Sequence, residues 1–329
     1  MFKLTTSLTP AGDQPKSINK IIKNFNNGVK NQVLLGATGT GKTFVVANVI
    51  SQLKLNTLII VHNKTLAGQL YNEFKELFKE DSVEYFISYF DFFQPEAYIP
   101  RSDTYIEKNA QVNDEIEMLR LSTINSLANG KPVIVVASVA AIYASSSPED
   151  FKKYRVIVKN GETCNIKNFL HKLINIQYQH NNIELKPGVF RQKGDIIEIM
   201  PGDSAQFIIR ISLFGDTIED ISCIDALTNR IINKYNTYVF APANEYVTDS
   251  EHIEQSLENI KNEMMQRIKY FKSNNKLLEA QRIEQRTKHD MDSLKEMGYC
   301  SGIENYASHL ELRKPGTTPY TIFDYFDKD

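Results

Sequence analysis

Gln32-Val-Leu-Leu-Gly-Ala-Thr-Gly-Thr-Gly-Lys-Thr43 joins a short apolar run to a glycine-rich turn that ends in Lys-Thr. Residues Gly36–Thr43 fit the pattern G-x-x-x-x-G-K-[ST] at every position. They also stand where that pattern works, after a strand predicted over Gln32–Leu35 and before a helix predicted to run through Leu53. Glycines let successive backbone N–H groups turn inward around phosphate oxygens, and the start of a helix adds its positive dipole end. The expected nucleotide contacts are therefore Gly36, Ala37, Thr38, Gly39, Thr40, Gly41, Lys42 and Thr43. Lys42 would reach the β- and γ-phosphates of ATP, and the Thr43 hydroxyl would ligate a nucleotide-bound Mg²⁺. Upstream, Gln14 in Pro10-Ala-Gly-Asp-Gln-Pro15 offers a donor and an acceptor together, which suits an adenine edge and favours ATP over GTP.

Outward from this loop, the first third of the chain alternates helical and strand patterns, as α/β folds with parallel sheets do. Asp13–Phe25 and Thr65–Phe78 read as helices and Thr57–Val61 as a strand, while Pro132–Ala137 is a continuous apolar run suited to a fully buried parallel strand. The 329 residues, 42% of them apolar, suffice for two or three domains. No apolar run approaches the roughly 18 residues that span a bilayer. The start, MFKLTTSLTPAGDQP, lacks a signal-peptide core. Cys164, Cys223 and Cys300 are odd in number and too far apart for a Cys-x-x-Cys ligand pair, so they read as buried thiols in a reducing cytoplasm.

Tyr85–Tyr98 concentrates aromatics: Tyr89, Phe90, Phe92 and Phe93 straddle Asp91, and Tyr98 and Tyr105 follow. So many large rings are costly in water and are either core or a contact surface. Between Tyr89 and Val112, Asp91, Glu96, Asp103 and Glu107 outnumber Arg101 and Lys108. Any DNA contact there would work by stacking, at roughly 1–3 kcal/mol per base, rather than by phosphate attraction.

From Phe151 to about Pro242 the pattern becomes short strands split by Gly, Asp and Pro, read as a separate α+β domain inserted into the first. The net charge is −2, which excludes a uniformly basic protein. Yet Lys152, Lys153, Arg155, Lys159, Lys167, Lys172, Lys186, Arg191 and Lys193 face only Glu162 and Glu184 between residues 151 and 193. Such a stretch is an interaction surface or a solvated face. Ser250–Met297 is charged and helical, with apolar residues at steps of three and four and a reversal at Ser273-Asn274-Asn275, giving an antiparallel helical hairpin.

The strings PAGDQP (10–15), LLGATGTGKTF (34–44), VHNKTLAGQLY (61–71), QPEAYIPRSDTYIEKNAQVNDEI (94–116), LLEAQRIEQRT (277–287), GIENY (302–306) and TPYT (318–321) closely resemble the UvrB family of bacterial nucleotide excision repair. The resemblance spans nearly the whole chain. It implies a P-loop superfamily 2 helicase-like domain over 1–150, with a β-hairpin at 89–112, an inserted UvrA-interacting domain over 151–242, and a helical segment over 243–329 that leads back into the helicase core. It further implies a cytoplasmic, SOS-linked, ATP-binding subunit of the UvrABC excision nuclease that UvrA loads on damaged double-stranded DNA. The hairpin, with Tyr89, Phe90, Phe92, Phe93, Tyr98 and Tyr105, would clamp one strand, and UvrC would be a further partner. Lys186, Arg191 and Lys193 would fall on the UvrA-docking face, which favours the partner-surface reading of the basic stretch.

The sequence departs from the family in places. Phe replaces Tyr at several hairpin positions, residues 140–147 lack the usual glycines, and Pro187 and Ser308 stand where the family has Arg. Superfamily 2 chemistry needs an apolar strand ending in Asp-Glu to hold Mg²⁺ and orient water. The single Asp-Glu here, Asp114-Glu115, follows Gln-Val-Asn and reads as a helix start. The chain ends at Asp329, ahead of that strand and of the second helicase domain, so it is expected to have no catalytic residues of its own and to be inactive alone. Two alternatives remain: a truncated, non-hydrolysing DNA- or UvrA-binding module, and the UvrB-like module of a transcription–repair coupling factor. The second ranks last, because that module lacks both P-loop and hairpin.

Overall fold

The computed structural model describes residues 2–88, 90–94, 97–99, 104–106, 109–142, 146–246, 250–298, 300, 302–314 and 316–326. Backbone contacts divide the chain into two units, Met1–Ile142 with Tyr325–Asp329, and Tyr143–Asp324.

In the first unit, α1 (Gln14–Asn26) and α2 (Lys42–Leu53) flank the glycine-rich loop, and β1 (Thr57–Val61), α3 (Lys64–Leu77) and β2 (Ser82–Phe86) follow. Next come two pairs of short strands, β3 (Phe90–Gln94) with β6 (Asn109–Val112) and β4 (Ala97–Ile99) with β5 (Thr104–Ile106). The unit continues with α4 (Asp114–Ala128) and β7 (Val133–Ser138). Strands β1 and β2 pair in parallel with β7, which lies between them and is buried at all six positions. The all-apolar run is thus central because both its faces and both its edges are covered. Phe74, Phe78, Val83, Ile134 and Val136 anchor the core. Helix ends follow local chemistry: Asn63 caps α3, and Asn113 caps α4 ahead of Asp114, Glu115 and Glu117, whose charges suit a helix start.

One expected element does not form. Residues 31–37 have no regular secondary structure, and Val33 and Leu35 are each 93% exposed. The apolar tetrapeptide has strand propensity, but a strand needs a hydrogen-bonding neighbour. Among the described residues the sheet contains only β1, β7 and β2.

In the second unit, α5 (Pro148–Lys153), β8 (Val156–Lys159), α6 (Ile166–Asn175) and β9 (Gln179–His180) precede a meander. The meander runs through β10 (Val189–Lys193), β11 (Ile196–Met200), β12 (Phe207–Phe214), β13 (Thr217–Asp225) and β14 (Ile231–Lys234), before β15 (Thr237–Phe240). The sheet order is β14-β13-β12-β11-β10-β9, antiparallel except for the β9–β10 pair. Alternate residues Ile197, Ile199, Ile209, Ile211, Ile221 and Cys223 form one apolar face, covered by Phe169 and Leu173 of α6 and by Val156, Val158 and Phe240 of the β8–β15 pair.

The same unit carries the helical hairpin α7 (Ser250–Ser273) and α8 (Leu277–Met297), which turns at Ser273–Lys276, and the short α9 (Ala307–Leu310). Ile260, Leu294, Cys300 and Ile303 form its base core. There Tyr306 Oη donates to Asp290 Oδ2 at 2.7 Å, and Ser256 Oγ donates to the His309 carbonyl at 2.9 Å. Cys164, Cys223 and Cys300 are buried thiols.

Candidate functional site

Residues Gly36–Gly41 make an exposed turn that ends on α2, with Gly39 and Gly41 at φ of +80° and +75°. Gly41 is the helix's N-cap residue and supplies no side-chain cap. The first-turn N–H groups of α2 are therefore left for an external acceptor, as at phosphate-binding helix starts. Its φ favours glycine, and a Cβ at Gly41 would come within 2.5 Å of Gln14 Nε2 and displace that amide.

Gln14 is pinned against the loop. Its Nε2 donates to the Thr40 carbonyl at 3.0 Å, and its Oε1 accepts from the Ala11 N–H at 3.1 Å. One N–H and one lone pair of the amide are left for a base edge. The ammonium of Lys42 folds back on the loop, donating to the Gly36 and Ala37 carbonyls at 2.9 and 2.8 Å. It stands at the loop's mouth, where a phosphate oxygen would replace these carbonyls as its partner. Thr40 Oγ1 donates to the Ala37 carbonyl at 2.8 Å and fixes the turn. Thr43, the second residue of α2, is half-buried. These residues fit a nucleotide: Lys42 and the loop N–H groups would hold its phosphates, and Thr43 its Mg²⁺, which would supply charge neutralisation.

The aromatic segment is antiparallel. Phe90 pairs with Val112, Phe92 with Gln111, Phe93 with Ala110 and Gln94 with Asn109, with a bulge between Phe90 and Phe92. Further out, Tyr98 stands opposite Tyr105. Tyr89 lies outside the described residues, and for Phe90, Phe92, Phe93, Tyr98 and Tyr105 only the backbone register is described.

At the base of this hairpin sits a residue that the sequence reading passed over. Arg120 is 1% exposed on α4. Its Nη1 donates to the Ile87 carbonyl at 3.0 Å, and its guanidinium lies 3.9 Å from the Phe86 ring centroid. It ties α4, which follows the hairpin, to the chain just before the hairpin begins. Nearby, Glu84 accepts from Ser122 Oγ at 3.0 Å and Ser126 Oγ at 2.7 Å, joining β2 to the same helix. A signal was present: Ile116, Arg120 and Ile124 share one helical stripe, and a cation in an apolar stripe asks for buried partners.

In the second unit, Lys186 and Lys193 are exposed. Arg191 is committed elsewhere: its Nε and Nη2 contact Glu198 Oε2 at 2.7 and 2.6 Å. Glu198, buried at 7% exposure, also takes Arg210 Nη2 at 2.6 Å. Burial by itself would raise its pKa. The hydrogen bonds from Arg210 and Arg191 outweigh that and hold the carboxyl below its ordinary value. Pro187 and Gly188 occupy the middle of a tight turn in which the Val189 N–H bonds the Lys186 carbonyl at 3.0 Å, with Gly188 at φ +77°. Proline followed by a positive-φ glycine is what a type II turn asks for.

Three family models match in succession: "Type III restriction enzyme, res subunit" over 7–159, "UvrB interaction domain" over 156–246 and "UvrB third helical domain" over 251–312. UvrABC system protein B of Ureaplasma parvum is 54% identical over 325 residues, 99% of this chain and 49% of that protein. UvrABC system protein B of Bacillus subtilis is 48% identical over 328 residues, 100% of this chain and 50% of its own length. The chain belongs to the UvrB family. It spans about half the length of the curated relatives it matches. Its first part has the α/β P-loop helicase-like fold, joined by a UvrB interaction domain and a helical domain. Among the described residues, no helix is long and apolar enough to cross a membrane.

Proposed function

We propose that this UvrB-family chain is the part of a damage-verifying subunit that binds ATP and Mg²⁺, accepts loading by UvrA, and holds one DNA strand with the hairpin at 89–112. The observation that carries this reading is the intact loop Gly36–Thr43 in the same unit as an antiparallel aromatic segment, within a chain related to UvrABC system protein B along its whole length. Lys42, Thr43 and the loop amides would hold the triphosphate, with Gln14 beside the base. The aromatics would supply sequence-tolerant stacking, which suits a protein that must grip many kinds of damaged DNA. Lys186 and Lys193, exposed in the interaction domain, would meet UvrA, while Arg191 would act indirectly by fixing strand β10 through Glu198. Cytoplasmic residence and a later contact with UvrC belong to the same proposal. The non-hydrolysing module is the second reading, favoured by the position of Asp114-Glu115 at the start of α4 rather than at a strand end.

The test is a mobility shift of a lesion-bearing duplex with UvrA, ATP and this chain, run beside a titration with a fluorescent ATP analogue. Wild type should add a slower, ATP-dependent species and bind the analogue weakly. Lys42→Ala should lose both with its melting temperature unchanged. Equal nucleotide affinity in Lys42→Ala, or no slower species with wild type, overturns the reading.

A further inference from the structure

The α7–α8 hairpin carries its charge unevenly. From Ser250 to Met265 it holds Glu251, Glu254, Glu258 and Glu263 against Lys261. From Gln266, around the turn, to Arg282 it holds Arg267, Lys269, Lys272, Lys276 and Arg282 against Glu279. Arg267, Lys269, Lys272 and Lys276 are all exposed, and so are Tyr270 at 51% and Leu277 at 66%. The Arg267 guanidinium lies 4.9 Å from the Tyr270 centroid and 5.2 Å from that of Phe271.

The tip is built to hold this arrangement. Asn274 Nδ2 donates to the Tyr270 carbonyl at 2.8 Å, and the Lys276 N–H bonds the Phe271 carbonyl at 2.9 Å. Beneath, Met264, Ile268 and Ala280 form a small core with Phe271 and Ile283. The scaffold is therefore packed from inside, and the cations and the Tyr270 ring need not collapse onto it.

An ordinary solvated helix pair intersperses opposite charges four residues apart, as Glu284 and Lys288 do lower on α8, at 2.7 Å. At the tip the spacing is like with like: Lys269 and Lys272 are three residues apart on α7, which costs a few tenths of a kcal/mol in an isolated helix, and Lys276 follows in the turn. Among the described ion pairs, none joins Arg267, Lys269, Lys272 or Lys276 to an acid. An arginine resting on aromatic rings loses little freedom when its outward N–H groups meet a phosphate, since the stacking has already ordered it.

We propose that the tip of the α7–α8 hairpin is a second DNA contact, binding the phosphate backbone through Arg267, Lys269, Lys272 and Lys276, with Tyr270 ordering the arginine and offering a ring to an adjacent sugar or base. This rests on the reading of the chain as a DNA-handling protein, and it supplies the phosphate neutralisation that the acidic segment Tyr89–Val112 lacks. The occupant is a polyanion because the surface is cationic and aromatic rather than broadly apolar.

The test compares wild type, a neutralised tip (Arg267→Gln, Lys269→Gln, Lys272→Gln, Lys276→Gln), a charge-retaining tip (all three lysines→Arg) and the hairpin variant Phe92→Ala/Phe93→Ala, by anisotropy on a labelled DNA oligonucleotide across salt concentrations. The neutralised tip should weaken binding about tenfold at low salt and flatten the plot of log K against log salt by about 2 to 3. The charge-retaining tip should keep wild-type affinity and slope. A photo-crosslinker at position 270 should attach to DNA. If the neutralised tip keeps wild-type slope and affinity while the hairpin variant loses affinity, this proposal fails and the function stands. Binding no DNA in any form defeats both. A crosslink to UvrA in place of DNA makes the tip a protein-docking surface and also overturns the proposal.

Discussion

Glu198 is the centre of a row of charges across three adjacent strands, with Arg191 opposite it on β10 and Arg210 opposite it on β12. Removing one partner of such a buried set leaves uncompensated charge, which is why each member is costly to lose alone. Because the folded state holds the carboxyl below its ordinary value near 4.5, its stabilisation is fully present above that pH. It is lost as the pH falls through the depressed folded value. Thermal melts of wild type should therefore decline as the pH falls below about 4.5, and Glu198→Gln should melt lower at pH 7 with a shallower acid decline. An unchanged acid profile in Glu198→Gln would assign the decline to other carboxylates. At this scale the sequence was partly legible. The glycines and Lys42 lie together as their spacing suggested, since a tight turn fixes its own neighbours, whereas Gln14 reaches Thr40 across 26 residues of sequence. The commitment of Arg191 was not legible, because it depends on the pairing register of three strands. Arg120 was missed for a related reason: its partners at Phe86 and Ile87 are over thirty residues away.

The elements read in the first unit, Thr57–Val61, Lys64–Leu77 and Val133–Ser138 among them, match their periodicities within a residue or so, while the strand Ser82–Phe86 was not read. Gln32–Leu35 is the exception, since strand propensity is local and strand formation is not. In the second unit the pattern of short strands was readable, while β13, β14 and the parallel partner β9 were not picked out, being short or carrying polar residues on both faces. The hairpin at 89–112 was implied by the family resemblance rather than by the spacing of its residues, and Phe90–Gln94 pairs there with Asn109–Val112. Its acidity leads to a prediction that belongs to the element. Phe92→Ala/Phe93→Ala should weaken DNA binding about tenfold, the loss of one or so stacked bases, without changing the salt dependence of what remains. A slope reduced along with affinity would mean that the hairpin works through phosphates after all, and unchanged affinity would remove it as a contact.

For the molecule as a whole, binding and hydrolysis separate. The loop at Gly36–Thr43 is proposed to hold phosphates, but hydrolysis also requires a positioned metal and water, and the single Asp-Glu of these residues begins α4. A polypeptide of these 329 residues should bind ATP yet show no phosphate release above buffer in a coupled assay. Turnover that Lys42→Ala abolishes would refute this and point to a water-orienting acid not identified among these residues. The sequence by itself determined the glycine-rich loop motif, the alternation of helices and strands, the helical hairpin and the family, because each is written in local spacing or in contiguous strings. Only the tertiary structure decided that Arg191 answers to Glu198, that Arg120 braces the hairpin's base, and that the apolar run ahead of the loop stays unpaired. Those outcomes depend on which distant backbone supplies a partner, and a buried charge or an open strand edge is settled by its partner rather than by its own residues.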